Sequence, residues 1–204
     1  MNTPSTRTRR IATAAATPVA IVAAAALVWQ SSYAAFTGTT RNSGNDWATG
    51  SVALTDDDAG SARFQVTNML PGQTDTKCIT VTANATSAGT VKAYVVNSVT
   101  SSSGLEDYID ITVNTGDGGS FASCTGFVAH TTGNPLVDQV PLSTLALANS
   151  YANGVGGWAV SAGTQSRTYQ VTWTFDTTGL TQSQIDQFQG THTGIDLQWE
   201  LQSS

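Results

Sequence analysis

The sequence predicts an all-β protein: an antiparallel β-sandwich of jelly-roll type with one or two short helical segments in its loops. Three observations lead there. Apolar and polar residues alternate over long stretches, most regularly in Tyr169-Gln170-Val171-Thr172-Trp173-Thr174-Phe175 and Ile195-Asp196-Leu197-Gln198-Trp199-Glu200-Leu201. That is the period of a strand with one face in a core and the other in water. Thr, Ser, Gly and Ala dominate a composition in which 11% of residues are charged, which suits sheets and turns better than exposed helices. Turn signals also separate the strand patterns at short intervals, without the helical crossovers that a βαβ fold requires.

In chain order, Ala62 to Thr67 alternates as a half-buried strand, and Pro71-Gly72 after it suits a type II turn. There Pro sets φ and Gly takes the positive φ of the next position. Lys77 to Thr82 and Val91 to Val96 read as the next two strands, and Ser101-Ser102-Ser103 as flexible loop. Tyr108 to Val113 places Ile109, Ile111 and Val113 on one side of a further strand, and the run from Asn114 to Gly119 reads as a turn. Val140 to Ala148 is expected to form a turn or two of helix. Thr181 to Phe188 is expected to start a short helix capped by Thr181, with Gln184 in the capping-box position.

The N-terminus reads as an export signal. Arg7, Arg9 and Arg10 precede an apolar run of 19 residues from Ile11 to Trp29, and Ser32-Tyr33-Ala34 supplies the small residues a signal peptidase reads. Cleavage is expected between Ala34 and Ala35, so that residues 1–34 are the signal and 35–204 a single β-sandwich domain in a secreted protein of the cell surface or matrix. The membrane is then met only through the uncleaved signal. A retained anchor is the other reading of the apolar run, weakened by its Ala content and by Pro18. Arg9-Arg10 raises twin-arginine export, but Ala12 and Thr13 are poor replacements for the bulky residues expected there. All fourteen acidic residues and five basic ones lie after residue 35, so this part carries 5 − 14 = −9. Such a domain repels phosphates, which argues against nucleic acid as a partner. Cys78 and Cys124 are the two cysteines, and in an oxidising compartment an even pair reads as a disulfide.

No catalytic constellation is found. His130 and His192 are the two histidines and lie far apart, so there is no HExxH helix, and no GxSxG elbow or phosphate-cradling glycine loop occurs. The expectation is a protein that is not an enzyme, with no catalytic residue, metal ligand or cofactor. Asp56-Asp57-Asp58 is the densest acidic cluster. Three carboxylates suit Ca²⁺, but the spacing of a calcium loop is missing, so an acidic hairpin loop is the better reading. Trp47 and Trp158 remain as surface aromatics for a sugar-binding face once Trp173 and Trp199 are assigned to buried strand positions.

Four segments together resemble the TasA and camelysin family of secreted surface proteins from Gram-positive bacteria. They are Ala34-Ala35-Phe36-Thr37 at the signal junction, Trp47-Ala48-Thr49-Gly50-Ser51-Val52-Ala53-Leu54, Asn68-Met69-Leu70-Pro71-Gly72-Gln73, and Phe188-Gln189-Gly190 leading into Ile195 to Glu200. Their order and separations agree with the family across most of the exported chain, while residues 104–158 depart from it. The resemblance implies a jelly roll, a dedicated signal peptidase, and assembly into matrix fibres in which the N-terminal strand of one subunit completes the sheet of the next. Residues 35–46 are the donor segment so implied, with Phe36, Thr37, Thr39 and Arg41 in it. The implied partner is a second copy or a related surface protein. Two other readings stay open: a monomeric adhesive or carbohydrate-binding module, and a camelysin-type metalloprotease, for which no motif is present.

Overall fold

A computed structural model of the chain describes residues 37–39, 52–60, 66 and 68–203, within a compact unit that runs from Phe36 to Ser204. Among the described residues, ten strands form two antiparallel sheets. The first is ordered β1 (Thr37–Thr39), β10 (Gly194–Ser203), β4 (Gly89–Val99), β8 (Val155–Val160). The second is ordered β2 (Val52–Asp56), β3 (Thr74–Ala85), β9 (Gly163–Phe175), β5 (Ile109–Asp117), β6 (Val128–Ala129), with β7 (Val137–Pro141) also paired to β5. The all-β sandwich expected from the alternation is what forms.

The centre of the second sheet is the long β3–β9 ladder, which runs unbroken from Thr74↔Thr174 to Ala85↔Gly163. Because side chains alternate across a strand, Ile79, Val81 and Ala83 share the inner face with Tyr169, Val171 and Trp173, Ile79 standing directly opposite Tyr169. All six are buried. The first sheet meets them with Val91, Ala93 and Val95 of β4 and with Trp199 and Leu201 of β10. Tyr169 and Trp199 join the two layers, with ring centroids 5.5 Å apart and planes tilted by 53°. Burial pushes the Tyr169 phenol up to about 12, and the nearby Trp158 and Trp199 N–H groups and Arg167 offset only part of this.

The outer face of the same ladder carries hydroxyls that bond across the strands: Thr76 to Thr172 at 2.8 Å, Thr80 to Thr168 at 3.0 Å and Thr82 to Ser166 at 2.8 Å. Cross-strand pairs of this type stabilise a sheet whose face is polar.

The connections follow local chemistry where that chemistry is strong. Gly72 has φ 74° and the Gln73 N–H donates to the Leu70 carbonyl at 2.9 Å, so Pro71-Gly72 makes the expected turn. Helix α1 (Leu142–Leu145) is a single turn that buries Leu142 and Leu145, while Val140 and Pro141 belong to β7. Helix α2 (Gln182–Asp186) begins after Thr181, whose N–H donates to Gln184 Oε1 at 2.9 Å.

Two local expectations are corrected and a third gains detail. Ser101 to Ser103 lies in a loop, as expected, and is tied at both ends: the Ser101 N–H and hydroxyl both donate to Glu106 Oε2, and Ser103 bonds Thr191. Burial opposes ionisation of Glu106, yet these Ser101 contacts hold its carboxyl below the usual range. Asn114 to Asp117 continues β5 rather than turning, and the chain reverses after it, where Gly118 and Gly119 have φ 74° and 73°. Trp158, expected at the surface, is 5% exposed, because its register with fully buried Val91 aims it into the core. The expected strand over residues 62–67 falls almost entirely outside the described residues, Val66 being the exception.

Candidate functional site

Three places combine exposure with organised chemistry. The first is the edge of the first sheet. Thr37, Gly38 and Thr39 pair antiparallel with Gln202, Leu201 and Glu200 of β10, so these three residues of the expected donor segment lie on a strand of their own domain. Beside it lies a polar network. Tyr94 donates to Glu200 Oε2 at 2.7 Å, Gln202 Nε2 donates to Glu200 Oε1 at 2.8 Å, and Gln198 Nε2 donates to the Tyr94 oxygen at 2.6 Å. Glu200 is 8% exposed, and a carboxylate this buried must be hydrogen-bonded to persist. Burial, with the Glu200 carboxylate beside it, pushes the Tyr94 phenol up to about 12. Phe36, Arg41, the Ala34-Ala35 junction and Trp47 lie outside the described residues.

The second place is the flap between β5 and β6. Cys78 and Cys124 form the expected disulfide, with Cα atoms 5.3 Å apart. Cys78 points to the outer face of β3 and is fully buried, because the flap that carries Cys124 lies over it. Asp57 fastens the same flap from the other side. Its Oδ1 accepts the Thr80 N–H at 2.8 Å and its Oδ2 accepts the Phe121 N–H at 2.6 Å. Asp58 Oδ1 accepts the Gly60 N–H at 2.6 Å, closing the turn. The acidic cluster thus acts as a set of backbone acceptors. Burial first, and then hydrogen bonding and charge from Asp58, push the Asp56 carboxyl up to about 6.

The third place is an open cleft of about 580 Å³ at one end of the sandwich. The 130–136 loop, the Gly156-Gly157 start of β8 and Arg167 of β9 line it. One asparagine fixes the loop. Asn134 Oδ1 accepts the Thr115 N–H at 2.8 Å, and its Nδ2 donates to the Thr115 and His130 carbonyls at 2.7 and 2.8 Å. Gly156 has φ 72°, and a Cβ there would run into Leu136, so the close approach of β8 to the loop needs glycine at this position. Arg167 lies 5.0 Å over the Trp158 ring.

Arg167 and this cleft were missed in the sequence, although a signal was present. Arg167 occupies the inward phase of the alternation that continues through Tyr169, Val171 and Trp173. His130 pairs with Asp117 at 3.2 Å, and among the described residues no three His, Cys, Asp or Glu side chains are grouped to hold a metal ion. No protein-family profile matches the chain, and no curated protein matches it.

Proposed function

We propose that this is a secreted structural protein of the cell surface or extracellular matrix, which self-associates by passing its N-terminal strand to a neighbouring copy. The observation that supports this reading is the form of β1. It is a three-residue edge strand with glycine at its centre, joined to β2 by residues 40–51. Strand β10 takes it through antiparallel main-chain pairing, which any copy of the same segment satisfies equally well.

The connector has 12 residues, and at about 3.3 Å per extended residue it reaches about 40 Å, on the order of a domain diameter. A strand held by so few contacts at the end of so long an arm exchanges at little cost in contacts, and concentration decides between the closed and exchanged forms. The buried disulfide and the signal-like N-terminus agree with an oxidising location outside the cell.

Thr37 and Gln202 are register partners, so the double variant Thr37→Cys/Gln202→Cys tests the proposal. Oxidised at rising protein concentration and run without reductant, it is expected to give a ladder of covalent oligomers. A product that stays monomeric at every concentration, with both new cysteines consumed, refutes strand exchange.

A further inference from the structure

We propose that the cleft at Arg167 binds the carboxylate of an acidic sugar, a hexuronate unit of a polysaccharide. The inference is independent of strand exchange and rests on four observations.

First, Arg167 is a cation placed on the inner face of the sandwich. The β5–β9 pairing ends at Gly116↔Thr168, so Arg167 follows one step beyond it, where Asp117 of β5 pairs with Val128 of β6 instead. Arg167 is half-buried there, so a charged partner would offset part of its lost hydration. Yet among the described residues the ion pairs are Lys77–Asp75 and His130–Asp117, and no hydrogen bond from the guanidinium is found there either. Among the described residues it contacts the face of Trp158 at 5.0 Å and acts electrostatically on the neutral Tyr169 phenol; neither neutralises its charge. A cation–π contact uses the charge of the guanidinium and not its N–H donors, which stay able to take a carboxylate through two parallel hydrogen bonds.

Second, the cleft is preformed. Asn134 ties the loop to β5, the His130 N–H donates to the Thr115 carbonyl at 2.9 Å, and the Leu136 N–H donates to the Val113 carbonyl at 2.7 Å. A fixed wall spares a ligand the cost of ordering it.

Third, the lining has the opposite sign to the molecule. Beyond residue 35 the charge is 5 − 14 = −9, but among the described residues no carboxylate lines the cleft, which presents Arg167, His130, the hydroxyls of Thr131 and Thr132, and glycine backbone. Asp117 stands outside the lining, engaged with His130, its side chain 77% exposed.

Fourth, the size fits. A volume of about 580 Å³ is far more than a lone carboxylate fills and lies in the range of small-molecule sites. The threonine hydroxyls offer both donors and acceptors to ring hydroxyls, and the Leu136 side chain offers an apolar wall.

The test is calorimetric titration of the exported protein with galacturonate, galactose and acetate. Galacturonate is expected to bind at least about tenfold more tightly than galactose, as loss of a charge-assisted pair implies, and also more tightly than acetate. Arg167→Met keeps an apolar stem over Trp158, so it should lose galacturonate binding while melting within a few degrees of the parent. Thr131→Asp puts a carboxylate into the exposed loop wall and should abolish binding without touching the core, which decides the matter even if Arg167→Met does not fold. Equal binding of galacturonate and galactose, or binding unaffected by either variant, overturns the proposal. Acetate binding as tight as galacturonate overturns the sugar assignment.

Discussion

Breaking the Cys78–Cys124 bond is the perturbation whose size follows most directly from the structure. The bond closes a loop with a sequence separation of 46, and constraint of the unfolded chain over that length is worth about 4 kcal/mol at 25 °C in the chain-entropy treatment. For a domain of this size each kcal/mol moves the melting temperature by about 2–4 °C, so the loss should be about 8–16 °C. Two routes separate the cross-link from the packing. Reduction keeps both sulfur atoms in place, whereas Cys78→Ala/Cys124→Ala also removes the buried Cys78 sulfur beneath the flap. Both should fall by the cross-link contribution, and the alanine variant further by a smaller packing term. Urea melts should show a larger m-value without the bond, because the unfolded chain expands and exposes more surface. If the reduced protein melts within about 3 °C of the oxidised one with an unchanged m-value, the unfolded-state argument is wrong. The flap would then be held chiefly by Asp57 and its contacts with Thr80 and Phe121.

Four further outcomes are expected. Asp56 has a folded pKa of about 6 against an ordinary 3.8, so folding favours its protonated form. The stabilisation is fully present below about 3.8 and is lost as pH rises to about 6. Melting temperature should therefore decline over that window, and Asp56→Asn should flatten the decline; an unchanged pH profile in the variant removes Asp56 as its source. Gly116→Ala would drive a Cβ into the Val128 carbonyl and the Phe127 ring, lifting the flap at a cost of about 1–3 kcal/mol, measurable by urea denaturation. Trp158→Ala should cost about 3–5 kcal/mol, since the ring is buried against the core, whereas a surface tryptophan would cost almost nothing; thermal melting distinguishes the two. Removal of residues 35–46 should leave a folded protein that does not form the oligomers expected of the intact arm, and negative-stain microscopy with size-exclusion chromatography reads the difference.

Tyr169 to Phe175 and Ile195 to Leu201 determined their own strands, because a period of two is written in neighbouring residues and needs no knowledge of what lies across the sheet. Pro71-Gly72 and the Thr181/Gln184 cap are equally local, each set by the φ or the hydrogen bond its residues supply. The pairing of Cys78 with Cys124 was legible for a different reason: there was no other cysteine to choose. Between residues 104 and 158 this local information runs out. β6, β7 and β8 are short or rich in glycine and alanine, and their pairing depends on β5 and β4, far away in sequence. The same dependence hid the direction of Trp158, which register with Val91 decides, and the task of Asp57, whose acceptors serve Thr80 and Phe121 from distant parts of the chain. Arg167 shows the boundary most clearly. Alternation assigns it to the inner face, but only the packed sandwich shows that its pairing with β5 ends one step before it, that it lies over the Trp158 ring, and that the 130–136 loop leaves a cleft beside it. Local sequence sets which way a side chain points along a strand; what it meets there is set by chain segments that folding brings together.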